Sequence, residues 1–321
     1  MQFVVSTHSR LLRIDLDAHW RITDMAVLAD GPHYGIALAP QPLPGIIAKS
    51  NTCDLTAYDL SQDANRAQMP VPHTNNDHIH QIAFARDGLY IANTFYNSLT
   101  YQTLDGSIRH EYAFNGHRTD INHVNSVYPC GDLVLVLLHN RSQPSQIAVL
   151  EHDLARGFAA REMIRLPHNG CHNVFVDQRY LYYCASGVGH FVVVDLRKKQ
   201  IKLDLPFAGH TKGLSVTEDH IVFGLSEHAK REARLTSRGQ LVVVDRCRLA
   251  ICSMIDLNEQ GAVGNVNEIR CLSEPELAHT GHYEHARALG SFVVRPPHSL
   301  AASLARLTAR IQRRLTARAR G

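Results

Sequence analysis

Apolar positions along this chain alternate with polar ones over short runs, and the runs come in pairs. His80-Gln81-Ile82-Ala83-Phe84-Ala85 is followed by the polar turn Arg86-Asp87-Gly88 and then by the more apolar Leu89-Tyr90-Ile91-Ala92. A period near two with a polar break reads as strand, turn, strand, and no such segment carries the three-to-four spacing of a helix. The same form recurs as HYGIALAP from His33, NSVYPCGDLVLVLLHN from Asn125, HNVFVDQRYLYYCAS from His172, KGLSVTEDHIVFGLS from Lys212 and NEIRCLSE from Asn267. In each copy a polar residue opens the first strand.

The openers fall between 40 and 55 residues apart, the period of a four-stranded propeller blade. Third strands are read in SLTYQTL, QIAVLEHD, FVVVDLR and QLVVVDR, and fourth strands in IRHEYAFN, AAREMIRLP, IKLDLPFA and AICSMIDLN. The sixth copy runs out of strand-like sequence near Leu277, whereas QFVVSTH, RLLRIDLD and HWRITDMAVL at the N-terminus lack a first strand. Joining the two ends in one blade leaves no open sheet edge in the ring. The expected fold is therefore all-β, a six-bladed β-propeller over residues 1–285 closed by N- and C-terminal strands, followed by a tail over 286–321.

The tail changes period. Leu300, Leu304, Leu307, Ile311 and Leu315 recur at three or four residues with arginines between them, after the break RPPHS. This predicts a basic amphipathic helix capped by Ser299. No acidic residue follows Glu284, so the net charge of +3 conceals a negative body and a positive tail. Such a helix suits docking on the body, an anionic membrane surface or an acidic protein partner. Nucleic acid is disfavoured, since no aromatic interleaving accompanies the arginines.

The remaining composition narrows the class. Seven cysteines, none spaced CxxC, read as reduced thiols. With no signal-like N-terminus and no long uncharged run, a cytoplasmic location is expected. GxSxG, GxxxxGK[ST] and a GxGxxG entering a helix are all missing, which disfavours nucleotide cofactors and nucleotide hydrolysis.

The openers carry the candidate chemistry. In a propeller the first strands line the central channel, so His33, His80, Asn125, His172, Lys212 and Asn267 are expected in one ring. His78, His123 and His210, two residues earlier, share strand parity. Several imidazoles at one opening suit a divalent metal of the Fe, Zn, Cu or Ni class. The ligand candidates are His33, His80, Asn125, His172, Asn267 and Glu268, and the proton-transfer candidates are His78, His123, His210 and Lys212. A metal-free site for a polar or anionic small molecule, and purely structural histidines, are the competing readings. Asn93, Thr94, His139, Asn140, Ser186, Ser226 and Glu227, at the ends of second strands, are expected at the opposite mouth. Ser226 with Arg231 and Arg234 of the following insertion is a candidate clamp for a carboxylate or phosphate.

The repeat resembles the six-bladed propellers of the gluconolactonase, strictosidine-synthase and NHL-like group. KGLSVTEDHIVFGLSEHAKREARLTSRGQLVVVDR is similar to a segment of uncharacterised bacterial propellers. Gluconolactonase-like enzymes use carboxylate and asparagine ligands where this chain supplies histidines, so the resemblance implies the fold more than the reaction. Two functions follow: a metal-dependent enzyme (hydrolase, lyase or oxygenase) acting on a small polar or anionic substrate, and a non-catalytic propeller binding module.

Overall fold

The computed structural model describes residues 1–38, 45–50, 54–60, 68–70, 78–116, 119–259, 261–273 and 290–296. Strands β1 (Gln2–Thr7), β2 (Arg10–Leu16) and β3 (Ile22–Asp30) pair antiparallel, and β24 (Val266–Cys271) completes their sheet on the inner side of β1. This closing blade joins both ends of the chain, as the sequence predicts. Blade 1 comprises β4 (His33–Leu38), β5 (Ile46–Ser50), β6 (Asp54–Tyr58) and β7 (Gln68–Pro70). Blade 2 comprises β8 (Ile79–Ala85), β9 (Gly88–Asn93), β10 (Ser98–Thr103) and β11 (Arg109–Ala113). Blade 3 contains β12 (Val124–Cys130), β13 (Leu133–Leu138), β14 (Gln146–Asp153) and β15 (Gly157–Arg165), and blade 4 contains β16 (His172–Val176), β17 (Tyr180–Ala185), β18 (His190–Asp195) and β19 (Gln200–Pro206). Blade 5 contains β20 (His210–Val216), β21 (His220–Ser226), β22 (Gly239–Asp245) and β23 (Ala250–Asp256). The inner strands β4, β8, β12, β16, β20 and β24 lie side by side in that order, and β24 returns to β4. The molecule is a six-bladed β-propeller.

Burial follows from this ring. Middle strands such as β13 (LVLVLL) and β18 (HFVVVD) are buried almost end to end, because each blade packs both faces against its neighbours. The outer β23 exposes most of its length. The three largest described apolar clusters each span the junction of adjacent blades, with Phe191 stacked on Phe223 at 4.4 Å between blades 4 and 5. Polar side chains are paired at the junction of blades 2 and 3. His152 meets Tyr90 Oη through Nδ1 at 2.7 Å and His110 Nδ1 through Nε2 at 2.9 Å.

Inner strands share a further feature. In blades 1 to 5 the pairing of first and second strand shifts register within three residues of the strand start, between His33 and Ile36, Ile79 and Ile82, Val124 and Ser126, His172 and Val174, and Lys212 and Leu214. Such bulges turn side chains away from the regular pleat. Two bulges contain backbone of positive φ: Asn173 (50°) and Gly213 (80°). Gly213 passes within 3.3 Å of Glu268 at the point a side chain would begin, so the bulge in blade 5 needs glycine for space as well as conformation.

The bulges of blades 2, 4 and 5 converge on Glu268, which is 1% exposed. Its carboxylate accepts from Gln81 Nε2 of blade 2, from Asn173 Nδ2 of blade 4 at 3.0 Å, from Leu214 N of blade 5 at 3.3 Å and from Arg270 at 2.9 Å. Gln81 Oε1 accepts from Val127 N at 2.7 Å, which brings in blade 3.

Phe292–Val293 (β25), placed in the tail by the sequence reading, adds in parallel to β15 as a fifth strand of blade 3. Val294 is 1% exposed, and Arg295 exchanges backbone hydrogen bonds with Lys199 and Ile201 of blade 4. The helix expected from Ser299 lies outside the described residues. Among those described, no helix is long and apolar enough to cross a membrane, and Cys130, Cys171, Cys184, Cys247, Cys252 and Cys271 are free thiols.

Glu268→Gln removes the charge that Arg270 faces in a buried setting. Urea unfolding is expected to show a loss of about 3 kcal/mol, with Glu268→Asp intermediate because its shorter arm gives up some of the four-blade contacts.

Candidate functional site

All six inner strands start at one mouth of the channel. Their antiparallel second strands run back and end at that same mouth: Ile79 pairs with Asn93, Val124 with Leu138 and His210 with Ser226. The expectation that the second-strand ends line the opposite face is therefore corrected. An outgoing strand and its returning neighbour share their open end, so both sets of polar residues belong to one site.

Aromatic rings form a continuous arc there. Centroid separations are 5.5 Å for His8–Tyr34, 5.8 Å for Tyr34–His80, 4.9 Å for His80–His123, 5.0 Å for His123–His139 and 5.1 Å for His139–His172. Most contacts are edge-to-face, the geometry that ring quadrupoles favour. Lys212 Nζ donates to Asn267 Oδ1 at 3.0 Å and lies 5.7 Å from the Tyr34 ring, while Lys49 Nζ sits 4.2 Å above the same ring. A solvent-open depression of about 350 Å³ beside the arc is lined by His8, His172, His210, Lys212, Arg234 and Asn267 among others. Arg234 reaches it because its insertion is pinned: Asn265 N and Ser237 Oγ donate to Arg234 O, and Gly264, with φ of 77°, allows the approach.

Hydrogen bonds set the imidazole tautomers. His80 and His172 place Nδ1 on the carbonyls of His78 (3.1 Å) and Gly170 (3.2 Å), two residues back. His80 Nδ1 also lies 2.6 Å from Thr94 Oγ1, whose proton goes to Val124 O. Both rings thus keep the proton on Nδ1 and leave Nε2 as a lone pair. Asp120 accepts from His123 Nδ1 at 3.0 Å and pairs with Arg141, so His123 Nε2 is likewise a lone pair. His139 is the reverse. Arg141 N donates to its Nδ1 at 3.0 Å, which puts the proton on Nε2.

The field at the mouth is positive. Burial, followed by the Lys212 charge, holds His80 and His172 well below the ordinary histidine range. Burial lowers His123 against the opposing pull of Asp120, and burial with the neighbouring His123 takes His139 to about 4. Burial, with Arg234 as the next cause, brings Lys212 down to about 8. These histidines are neutral at pH 7, and the net charge comes from Lys49, Lys212 and Arg234. Neither Lys212 nor Arg234 forms an ion pair among the described residues, and Arg234 Nε and Asn125 Nδ2 are buried donors without an acceptor.

The expected metal ligands do not come together as a set. His33 is 1% exposed and spends Nδ1 on Gly31 O and Nε2 on Tyr58 Oη. Asn267 Nδ2 donates to His33 O, Asn125 Oδ1 accepts from Ser126 Oγ, and Glu268 is committed to the inter-blade contacts. Among the described residues, the one trio of His, Cys, Asp or Glu whose donor atoms all lie within 4.8 Å of one another is His168, His190 and Asp204, away from the arc. Of the proton-transfer candidates, His123 and Lys212 face the mouth. His210 stands at its rim against His228 at 4.7 Å, and His78 is exposed against Phe95. Ser226 Oγ accepts from Val266 N and is structural; the Arg231 side chain lies outside the described residues. His8, Tyr34, Lys49, Asp120 and Arg141 enter the site without having been anticipated.

No protein-family model and no curated protein sequence matches the chain. Solved structures do. A chain of the nidogen/laminin complex superposes with a TM-score of 0.63 at 9% identity, covering 85% of this chain and 99% of that one. A protein of unknown function from Bacteroides caccae gives 0.60 at 12% identity over 85% and 99%. The WD40 β-propeller domain of Doa1 gives 0.53 at 10% over 80% and 79%. At these identities the likeness establishes the propeller fold.

The lowered histidines fix a pH response. His139 and His152, both near 4 when folded, titrate near 6.5 when unfolded. The unfolded chain therefore takes up protons first as pH falls, so stability is full above about 6.5 and declines toward 4. Urea midpoints measured between pH 7.5 and 4.5 are expected to drop by a few kcal/mol-equivalents in total, and His139→Gln should flatten the slope.

Proposed function

We propose that the protein is an enzyme that binds a small anionic substrate, a carboxylate or phosphate, at the histidine-lined mouth and moves a proton on it. The observation that carries this reading is the pair Lys212 and Arg234, two like charges facing one depression with no carboxylate paired to either among the described residues. Holding them together is unfavourable until an anion lies between them, and the orphaned Arg234 Nε supports an acceptor-rich ligand.

The neighbouring rings supply the chemistry. His123, held by Asp120, presents a lone pair at Nε2 and serves as the base. His139 Nε2–H, kept neutral by its low pKa, donates a hydrogen bond to oxygen that gains charge as the proton leaves. Base and donor sit on adjacent rings 5.0 Å apart. This arrangement suits removal of a proton from carbon beside a carbonyl, with the substrate's anionic group on Lys212 and Arg234, as in lyase or isomerase reactions. A divalent cation gains little here, because Lys212 and Arg234 already repel it and the nearest buried carboxylate is engaged.

Deuterium exchange into a panel of short 2-oxo acids, hydroxy acids and phosphate monoesters, followed by proton NMR, tests the reading. Enzyme-dependent exchange is expected in at least one, abolished by His123→Gln with binding retained. Exchange in none of them, with no calorimetric binding of phosphate or succinate, overturns it.

Rate against pH is expected to be bell-shaped. The acid limb is set by protonation of His123, below its ordinary value, and the alkaline limb lies near 8, where Lys212 loses its charge. Lys212→Met should weaken phosphate or succinate binding at pH 7 by at least about tenfold and remove the alkaline dependence. Its melting temperature should hold or rise, since a buried unpaired charge is gone.

A further inference from the structure

We infer that His168, His190 and Asp204 form a binding site for a single divalent transition metal, zinc(II) above all, separate from the channel mouth. Two of the three ligands are placed by strand register. His190 opens β18 opposite Pro206, and Asp204 on β19 lies opposite Val192, so the two are diagonal neighbours on one face of the outer half of blade 4. His190 Nδ1 lies 2.6 Å from Asp204 Oδ1. His168 comes from the link between β15 and β16, with Nε2 3.9 Å from Asp204 Oδ2.

The backbone fixes all three. Ser145 N donates to His168 O at 2.8 Å, Thr211 Oγ1 donates to His190 O at 2.7 Å, and Asp204 is within a paired strand. A further group orients the first histidine: Tyr183 Oη, on a fully buried ring, lies 2.9 Å from His168 Nδ1 and leaves Nε2 directed at Asp204. Metal-bound histidines are held through the distal nitrogen in this way. The donor atoms already lie within 4.8 Å of one another. A shift of about 1 Å at the tips of the side chains brings them to the spacing that bonds of about 2.0–2.2 Å require.

Two imidazoles and one carboxylate select a first-row transition ion over calcium or magnesium, which take all-oxygen sets. Side-chain exposures of 16%, 29% and 24% leave the site reachable from solvent, so one or more coordination positions stay open to water or a ligand. The site lies on the same face as the mouth and further out from the axis, on the blade whose inner strand carries His172.

Zinc titration of tag-free protein stripped with a chelator, read against a competing indicator dye, tests the assignment. Wild type and the mouth variant His80→Ala/His172→Ala are each expected to bind one equivalent. Asp204→Asn and His190→Ala should bind at least about 100-fold more weakly, and Tyr183→Phe about tenfold more weakly. Cobalt(II) in place of zinc should give a visible absorption band that the Asp204→Asn variant lacks. No zinc bound by wild type, or one tight equivalent retained by a natively folded Asp204→Asn variant, overturns the site. Should His190→Ala misfold, the near-isosteric Asp204→Asn decides alone. Loss of zinc only in the mouth variant would place the metal at the arc and overturn this assignment while leaving the test of anion binding untouched.

Discussion

The carboxylate of Glu268 is the group around which the channel is organised. A buried anion must collect donors or pay a large desolvation penalty, and no single strand can surround it. Here the donors come from the inner strands of blades 2, 4 and 5, with Arg270 on its own strand. Those contacts need Gln81, Asn173 and Leu214 to turn toward the axis, which is what the bulges near the starts of the inner strands accomplish. Asn173 accepts a left-handed backbone to do so, and its Oδ1 then accepts a hydrogen bond from Gly213 N at 2.7 Å. Since Glu268 sits on the strand that joins the two ends of the chain, closing the ring and filling its centre are one event.

The mouth above inherits its electrostatics from that plug. Arg270 matches the negative charge within the hub, and the pull of Glu268 on Lys212 is outweighed by burial and by Arg234. The histidines, desolvated and facing Lys212, stay neutral. The result is a layered axis, with a compensated anion at depth and, near the surface, Lys212 and Arg234 without an ion pair among the described residues. The positive mouth is a consequence of where the carboxylate was placed.

Much of this architecture was legible in the sequence. Strand period, blade count, the closing blade and the convergence of His80, His123, His172 and Lys212 follow from alternation and from the recurrence of a polar opener, which depend on local pattern alone. What escaped the sequence depends on partners. That Glu268 is an inter-blade anchor and His33 a satisfied core histidine becomes visible only once Gln81, Asn173 and Tyr58 are known to face them. The outer strands of blade 1 went unread because they are short and lack the Val-rich runs of blades 4 and 5. Assigning second-strand ends to the far mouth was an error of direction, and it hid the pairing of His139 with His123. His168, His190 and Asp204 escaped because they sit in a link and on outer strands, off the register of the openers.

Repetition and its failure divide the work. Six similar blades deliver polar residues to one opening, and a perfect repeat would make them chemically alike. Differences of a single hydrogen bond break the equivalence. A carbonyl two residues back fixes the proton of His80 and His172 on Nδ1, a carboxylate does the same for His123, and one backbone N–H from Arg141 forces the opposite tautomer on His139. Arg141 also pairs with Asp120, so one residue acts on His123 through its side chain and on His139 through its backbone. Two adjacent imidazoles, otherwise interchangeable, are thereby held in opposite tautomers, and the loop after β13 carries the residue that sets them apart.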